Sequence, residues 1–128
     1  MSSAPVDPCT IVTKADAEAV AGTTLQPGVK AGAAEDASCT FSGDPSGPTA
    51  QVEVHIGPGA KKYLDIDKQL GHEITAQSGL GDEAYVEDFV VFARKGSNWV
   101  AITLVRLDDF EPYKAKMIDL TKRTLAKL

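Results

Sequence analysis

The residues of this chain best suited to metal or proton chemistry are its two histidines, His55 and His72. Each has a carboxylate close in sequence, Glu53 two positions before His55 and Glu73 directly after His72. Two imidazoles and two carboxylates can hold a divalent cation when the strands that carry them are neighbours. Neither an H-x-H nor an H-E-x-x-H spacing is present, so the sequence assigns no metal. The acids Asp65, Asp67, Asp82, Glu83, Glu87 and Asp88 could supply a carboxylate pair for glycoside hydrolysis or oxygens for calcium. No D-x-D-x-D-G loop frames them, and an i, i+2 spacing on a helix points Asp65 and Asp67 apart, so a solvated face accounts for all six. Ser42, Ser46, Ser78 and Ser97 sit in turn clusters without the G-x-S-x-G frame of a nucleophile elbow. The stretch Ser78-Gly79-Leu80-Gly81-Asp82 has neither the Lys-Ser/Thr of a phosphate loop nor the third glycine of a dinucleotide loop, and reads as a turn. No catalytic residue and no cofactor are assigned. Among the aromatic residues, Tyr85, Phe89, Phe92 and Trp99 concentrate in the C-terminal strands. Core packing explains them, and the functional alternative is an apolar pocket between sheet and helix with Trp99, Phe92 and Tyr85 as its ligand-binding residues.

The elements that must position these side chains follow from periodicity. Thr13-Lys14-Ala15-Asp16 is a helix start and Gly22 its stop. Residues 23–38 show no periodicity and read as a surface loop. Cys39-Thr40-Phe41 is a short strand that ends in a cluster of turn formers, Ser42 to Pro48. From Thr49 to Ile56, Ala50, Val52, Val54 and Ile56 alternate with Gln51, Glu53 and His55, the pattern of a half-buried antiparallel strand. Ala60 to Leu70 fits a helix ended by Gly71. His72–Gln77 and Ala84–Glu87 are brief strands, and Phe89–Arg94 and Trp99–Arg106 form a hairpin around Lys95-Gly96-Ser97-Asn98. The second strand of that hairpin is apolar on both faces and therefore central. Asp108 to Lys127 is the longest helix, capped by Asp108 or Asp109, with Phe110, Tyr113, Met117, Leu120 and Leu128 as its buried stripe. The order α-β-β-α-β-β-β-β-α predicts an α+β domain, an antiparallel sheet packed by two or three helices.

With 128 residues the chain fits a single domain, read as residues 9–128 behind a tether or tail at residues 1–8. The balance of 43% hydrophobic and 24% charged residues is that of a folded globular protein. A net charge of -5 provides no positive field for nucleic acid or anionic lipid. The acidity is uneven: residues 1–59 hold seven acids and two bases, residues 60–128 eleven of each. No apolar run approaches the ~18 residues of a membrane helix, and Met1-Ser2-Ser3-Ala4-Pro5 lacks the basic and apolar regions of a signal, so membrane contact is expected only through a lost lipid anchor. Cys9 and Cys39 have no C-x-x-C or C-x-x-H spacing. If paired, they close a loop of about 30 residues and stabilise the fold by roughly 3–4 kcal/mol; the alternative is two small core residues in a reduced cytosolic protein.

Four segments, Pro8-Cys9-Thr10-Ile11-Val12-Thr13-Lys14-Ala15-Asp16, Ser38-Cys39-Thr40-Phe41, Gly79-Leu80-Gly81-Asp82-Glu83-Ala84-Tyr85 and the apolar hairpin with Arg94-Lys95-Gly96, resemble a loose group of small bacterial secreted proteins and lipoproteins. The group is common in actinobacteria and consists mostly of domains of unknown function. The resemblance touches most of the chain from Pro8 to Leu128 through short motifs with elastic spacing. It implies a structural cysteine pair and an exported or anchored protein, and it brings no catalytic residues.

These readings lead to a non-catalytic extracytoplasmic domain, secreted or lipoprotein-derived, that binds a partner protein or a small apolar ligand. A hydrolase working through acidic residues is the alternative, to be recognised by a raised carboxyl pKa at Asp82, Glu83 or Glu87. A cytosolic adaptor with reduced cysteines is the third.

Overall fold

A computed structural model of the chain describes residues 7–32 and 37–128. Its elements are α1 (Pro8–Ile11), α2 (Lys14–Ala21), β1 (Val29–Ala31), β2 (Ser38–Ser42), β3 (Gln51–Ile56), α3 (Pro58–Gln69), β4 (Thr75–Ala76), β5 (Glu83–Glu87), β6 (Val90–Lys95), β7 (Asn98–Val105) and α4 (Glu111–Ala126). Among the described residues, seven strands form one sheet in the order β1-β2-β3-β7-β6-β5-β4, antiparallel at every pairing. The fold is α+β, and the element order expected from the sequence lies within it. Two short elements add to that order. α1 begins with Asp7 accepting a hydrogen bond from the Cys9 N–H and Pro8 at the first helical position, so only residues 1–6 of the expected tail lie outside the described residues. β1 is exposed at all three positions and is defined only by its pairing to β2, which is why no hydrophobic pattern marks it.

The topology is two meanders, β1-β2-β3 and β4-β5-β6-β7, joined by α3. Because β3 pairs with β7, the chain leaves the middle of the sheet after Ile56 and re-enters at the far edge in β4. α3 must therefore cross one face of the sheet, and its C-terminal end arrives over β5. Gly57 starts this crossing at φ 119°, a conformation that L side chains rarely adopt, with its N–H donating to the Trp99 carbonyl at 2.8 Å.

Alternation along the strands separates two cores. Val52 and Val54 of β3, Val91 and Ala93 of β6, and Val100, Ile102 and Leu104 of β7 face α2 and α4, packing with Val20, Met117 and Leu120. On the opposite face Val90, Phe92, Trp99 and Ala101 pack beneath Ala60 and Leu64 of α3. β7, apolar on both faces, is the fourth of the seven strands, as its composition implies. α2 has the expected start: the Thr13 hydroxyl accepts from the Asp16 N–H at 3.1 Å, and the Asp16 carboxylate accepts from the Thr13 N–H at 3.3 Å.

Cys9 and Cys39 form a disulfide, which ties α1 to β2 across a sequence separation of 30. Leu80, in the stretch read as a plain turn, is fully buried and plugs the first core. The Asp82 N–H donates to the Arg94 carbonyl, and its carboxylate accepts from the Gly96 N–H, each at 2.7 Å, so this stretch is clamped to the β6–β7 hairpin. At α4 the expected cap is corrected. The helix starts at Glu111 with Phe110 at the N-cap position and no side-chain cap, because Asp108 instead accepts from the Tyr113 hydroxyl at 2.6 Å and pairs with Arg106. Met117 and Leu120 are buried as read. Thr121 and Thr124 are buried beside them, satisfied by donating to the carbonyls of Met117 and Leu120, so polar residues complete a stripe that hydrophobicity alone outlines too narrowly.

No helix among the described residues is long and apolar enough to cross a membrane.

Candidate functional site

The C-terminal end of α3 builds the first half of the site. Gly71, at φ 78°, turns the chain out of the helix; its N–H donates to the Lys68 carbonyl, and the His72 N–H reaches back to the Asp67 carbonyl, both at 3.1 Å. This is a Schellman ending, in which the residue one past the glycine sits against the residue four before it. That contact is commonly hydrophobic. Here it brings together Asp67, whose side chain is 7% exposed, and the imidazole of His72, with Oδ1 to Nδ1 at 3.7 Å. Asp67 thus lies in the last helical turn, at the negative end of the helix dipole.

The second half comes from the sheet. Glu87 is the last residue of β5 and, by alternation, points to the face that α3 crosses. A two-residue turn, Asp88-Phe89, follows it before β6 begins. Phe89 holds φ 64°, the left-handed region, which costs a bulky residue about 1–2 kcal/mol; its ring is held against Phe110 at 5.3 Å. The packing that secures this turn therefore also fixes Glu87 and the start of α4 relative to each other.

Glu87 Oε2 lies 2.9 Å from the same His72 Nδ1 that faces Asp67. Its other oxygen, Oε1, is buried and meets no hydrogen-bond donor among the described residues. Burial, together with the neighbouring Asp67 carboxyl, pushes the Glu87 carboxyl up to about 7 against the opposing pull of His72. Burial and then the carboxylates Asp67, Glu87 and Glu53 likewise raise the Tyr63 hydroxyl, which the Thr103 side chain partly offsets. Asp67, His72 and Glu87 each offer one ligand atom, and these atoms lie within 4.8 Å of one another. A proton or a cation can occupy the space they share.

His72 and Glu87 of this triad line a cleft of about 550 Å³ that wraps the β4–β5 edge and reaches the first turn of α4, with Asp67 behind them. Val86 and Phe110 give it apolar surface. Glu73, Glu87, Asp88 and Glu111 bring four carboxylates to it, against one ammonium, Lys114. Its potential is therefore negative, and the arrangement suits a cationic group with a modest apolar body.

The structure distributes the residues singled out from sequence as follows. Both histidines pair with acids, but only His55 does so with the acid near it in sequence: His55 meets Glu53 on β3, whereas His72 meets Asp67 and Glu87 rather than Glu73. The solvated-face reading of the acids is corrected for two of the six, since Asp67 and Glu87 are buried. Asp65, as its spacing from Asp67 requires, points elsewhere and pairs with Lys61. Glu83 accepts from the Tyr85 hydroxyl at 2.6 Å and from Arg94 at 2.7 Å, contacts that hold its carboxyl below the usual range. Trp99, Phe92 and Tyr85 share the face under α3. Phe92 is fully buried with the Tyr63 ring edge-on at 5.2 Å, Trp99 is buried under Lys61, and Tyr85 is half-buried beneath Lys68. None of the three lines the cleft at Glu87. No family model matches the chain, and no significantly similar curated protein or solved structure was found.

Proposed function

We propose that this chain is a non-catalytic extracytoplasmic binding domain that takes a small, positively charged ligand in the cleft beside Glu87. One observation carries this reading: Glu87 lines a cleft ringed by three further carboxylates, and one of its oxygens, Oε1, is buried without a donor among the described residues. A buried acceptor left unpaired costs about 1–3 kcal/mol, and a ligand that supplies a donor or a charge recovers that energy on binding. Val86 and Phe110 offer the apolar contact that the sequence suggested at Trp99, Phe92 and Tyr85. The compartment is supported by the disulfide, since thiols of cytosolic proteins are kept reduced. Titration of the protein with benzylammonium and benzoate, followed by amide NMR shifts, tests the reading. Benzylammonium is expected to shift residues around Glu87 and Phe110 while benzoate does not; equal response to both, or none to either, overturns it.

An acid–base hydrolase is a second reading, favoured by two buried carboxyls side by side, one of them titrating near neutrality. It requires turnover of a panel of chromogenic esters and glycosides that disappears in Glu87→Gln. Retained benzylammonium binding without turnover removes it.

A further inference from the structure

Resting on the cleft being a cation site, we propose that Asp67, His72 and Glu87 form a three-ligand site for a divalent first-row transition metal ion, with its open coordination positions turned toward the cleft. Three observations bear on it. First, both carboxylates converge on one nitrogen, His72 Nδ1, at 2.9 and 3.7 Å. A single proton on that nitrogen can serve one carboxylate well but leaves the other facing it at a distance too long for a hydrogen bond. A tetrahedral ion with bonds of ~2.1 Å holds its ligands about 3.4 Å apart, and the two observed separations bracket that value.

Second, the donors are present before any ion arrives. The Asp67 and Glu87 side chains are 7% and 8% exposed, and Glu87 Oε1 meets no donor among the described residues. Two carboxylates brought out of water at one point must either hold a proton between them or meet compensating positive charge, and His72, itself 45% exposed, supplies at most one unit. A divalent ion supplies two. Third, the ligands are held by the backbone. The Schellman ending fixes His72 over Asp67, and the turn secured by Phe89 fixes Glu87. Such positioning keeps an ion's ligands together at little cost in ordering.

The donor set selects the ion. One imidazole nitrogen with two carboxylate oxygens suits Zn²⁺, Co²⁺ and their neighbours, whereas Ca²⁺ takes six to eight oxygens and Mg²⁺ a near-octahedral oxygen shell. Three protein ligands leave at least one position for water or for a group in the cleft, the arrangement of an open rather than a closed site.

The test is calorimetric titration of the full chain, stripped with EDTA and desalted, with Zn²⁺, Co²⁺, Ca²⁺ and Mg²⁺, together with the visible absorption of the Co²⁺ form. One equivalent of Zn²⁺ or Co²⁺ is expected, with a Co²⁺ spectrum of low coordination number. Affinity should fall by roughly tenfold or more in both His72→Ala and Glu87→Gln, and stay unchanged in His55→Ala, which removes the histidine outside the cluster. The His72 side chain is 45% exposed, so its variant is expected to keep the fold, to be checked for both variants by circular dichroism. Metal binding of equal strength in His72→Ala marks an adventitious surface ion and overturns the proposal. Benzylammonium binding without metal binding overturns the metal site and leaves the cation cleft standing. Binding of neither removes both.

Discussion

Replacing Glu87 with glutamine should make the metal-free protein more stable at pH 8, against the usual direction of a substitution at a buried hydrogen-bonded residue. The Glu87 carboxyl is shifted from 4.5 to about 7, chiefly by burial and secondarily by Asp67. A carboxyl whose pKa is raised on folding binds its proton more tightly in the native state. Its favourable contribution is therefore complete below about pH 4.5 and is lost as pH rises through 7. At 1.36 kcal/mol per unit, the loss amounts to at most about 3 kcal/mol by pH 8. Glutamine keeps the shape, carries no charge, and places amide hydrogens where Asp67 can accept them. The variant should match the parent near pH 4.5 and exceed it by up to about 3 kcal/mol at pH 8, less whatever the lost contact with His72 contributes. With an unfolding entropy of ~2.1 cal/mol/K per residue, the corresponding rise in Tm is about 10 °C. Urea denaturation followed by the fluorescence of the single tryptophan, Trp99, at half-unit steps from pH 5 to 8 in EDTA, reads both the difference and the slope. A variant less stable than the parent at pH 8, or a parent whose stability does not fall between pH 5 and 8, refutes the account of Glu87 as a destabilising buried anion.

Three further outcomes follow from the fold. Replacing both Cys9 and Cys39 with alanine opens the loop closed across 30 residues and should cost roughly 3–4 kcal/mol, measured as a drop in the urea midpoint with a steeper slope as the unlinked denatured chain expands. Phe92→Ala, at a fully buried site between the sheet and α3, should cost about 3–5 kcal/mol by the same assay, and a cost under about 1 kcal/mol would mean that α3 is loosely held on its face. Gly81→Ala introduces a side chain at φ 60° directly against the Arg94 carbonyl and the Leu125 side chain; destabilisation of roughly 1–3 kcal/mol is expected, with faster amide exchange at Asp82 and Gly96, and unchanged exchange there would show that the clamp on the hairpin does not depend on this glycine.

The parts of the fold legible in sequence are those where one residue's preference and its neighbours' pattern agree. In β3 the alternation of Val52, Val54 and Ile56 with Glu53 and His55 reports faces directly, and in β7 the absence of alternation reports burial on both. Thr13 and Gly22 mark the ends of α2 by capping chemistry that needs no tertiary information. Where the sequence reading departs from the structure, a distant partner decides. β1 exists because β2 offers an edge, Asp108 is withdrawn from capping by Tyr113 and Arg106, and Leu80 of an otherwise polar loop joins the core formed by strands and helices distant in sequence.

The site divides along the same line, which explains why the nearest carboxylate is a poor guide to a histidine's partner. Glu73 is adjacent to His72 and lines the same cleft without pairing with it, whereas Asp67 is bound to His72 by the helix ending itself. That half was available in the sequence, since a glycine stop at Gly71 predicts contact between the residue after it and the residue four before it, and an Asp–His pair in those two places is unusual enough to notice. The other half was not available. Glu87 lies 15 residues beyond His72 and meets it only because β3 pairs with β7, which obliges α3 to cross the sheet and end over β5. The strand pairing that creates the central strand thus also assembles the triad, so a change that shifted the β3–β7 register would separate Glu87 from Asp67 and His72 without touching any of the three.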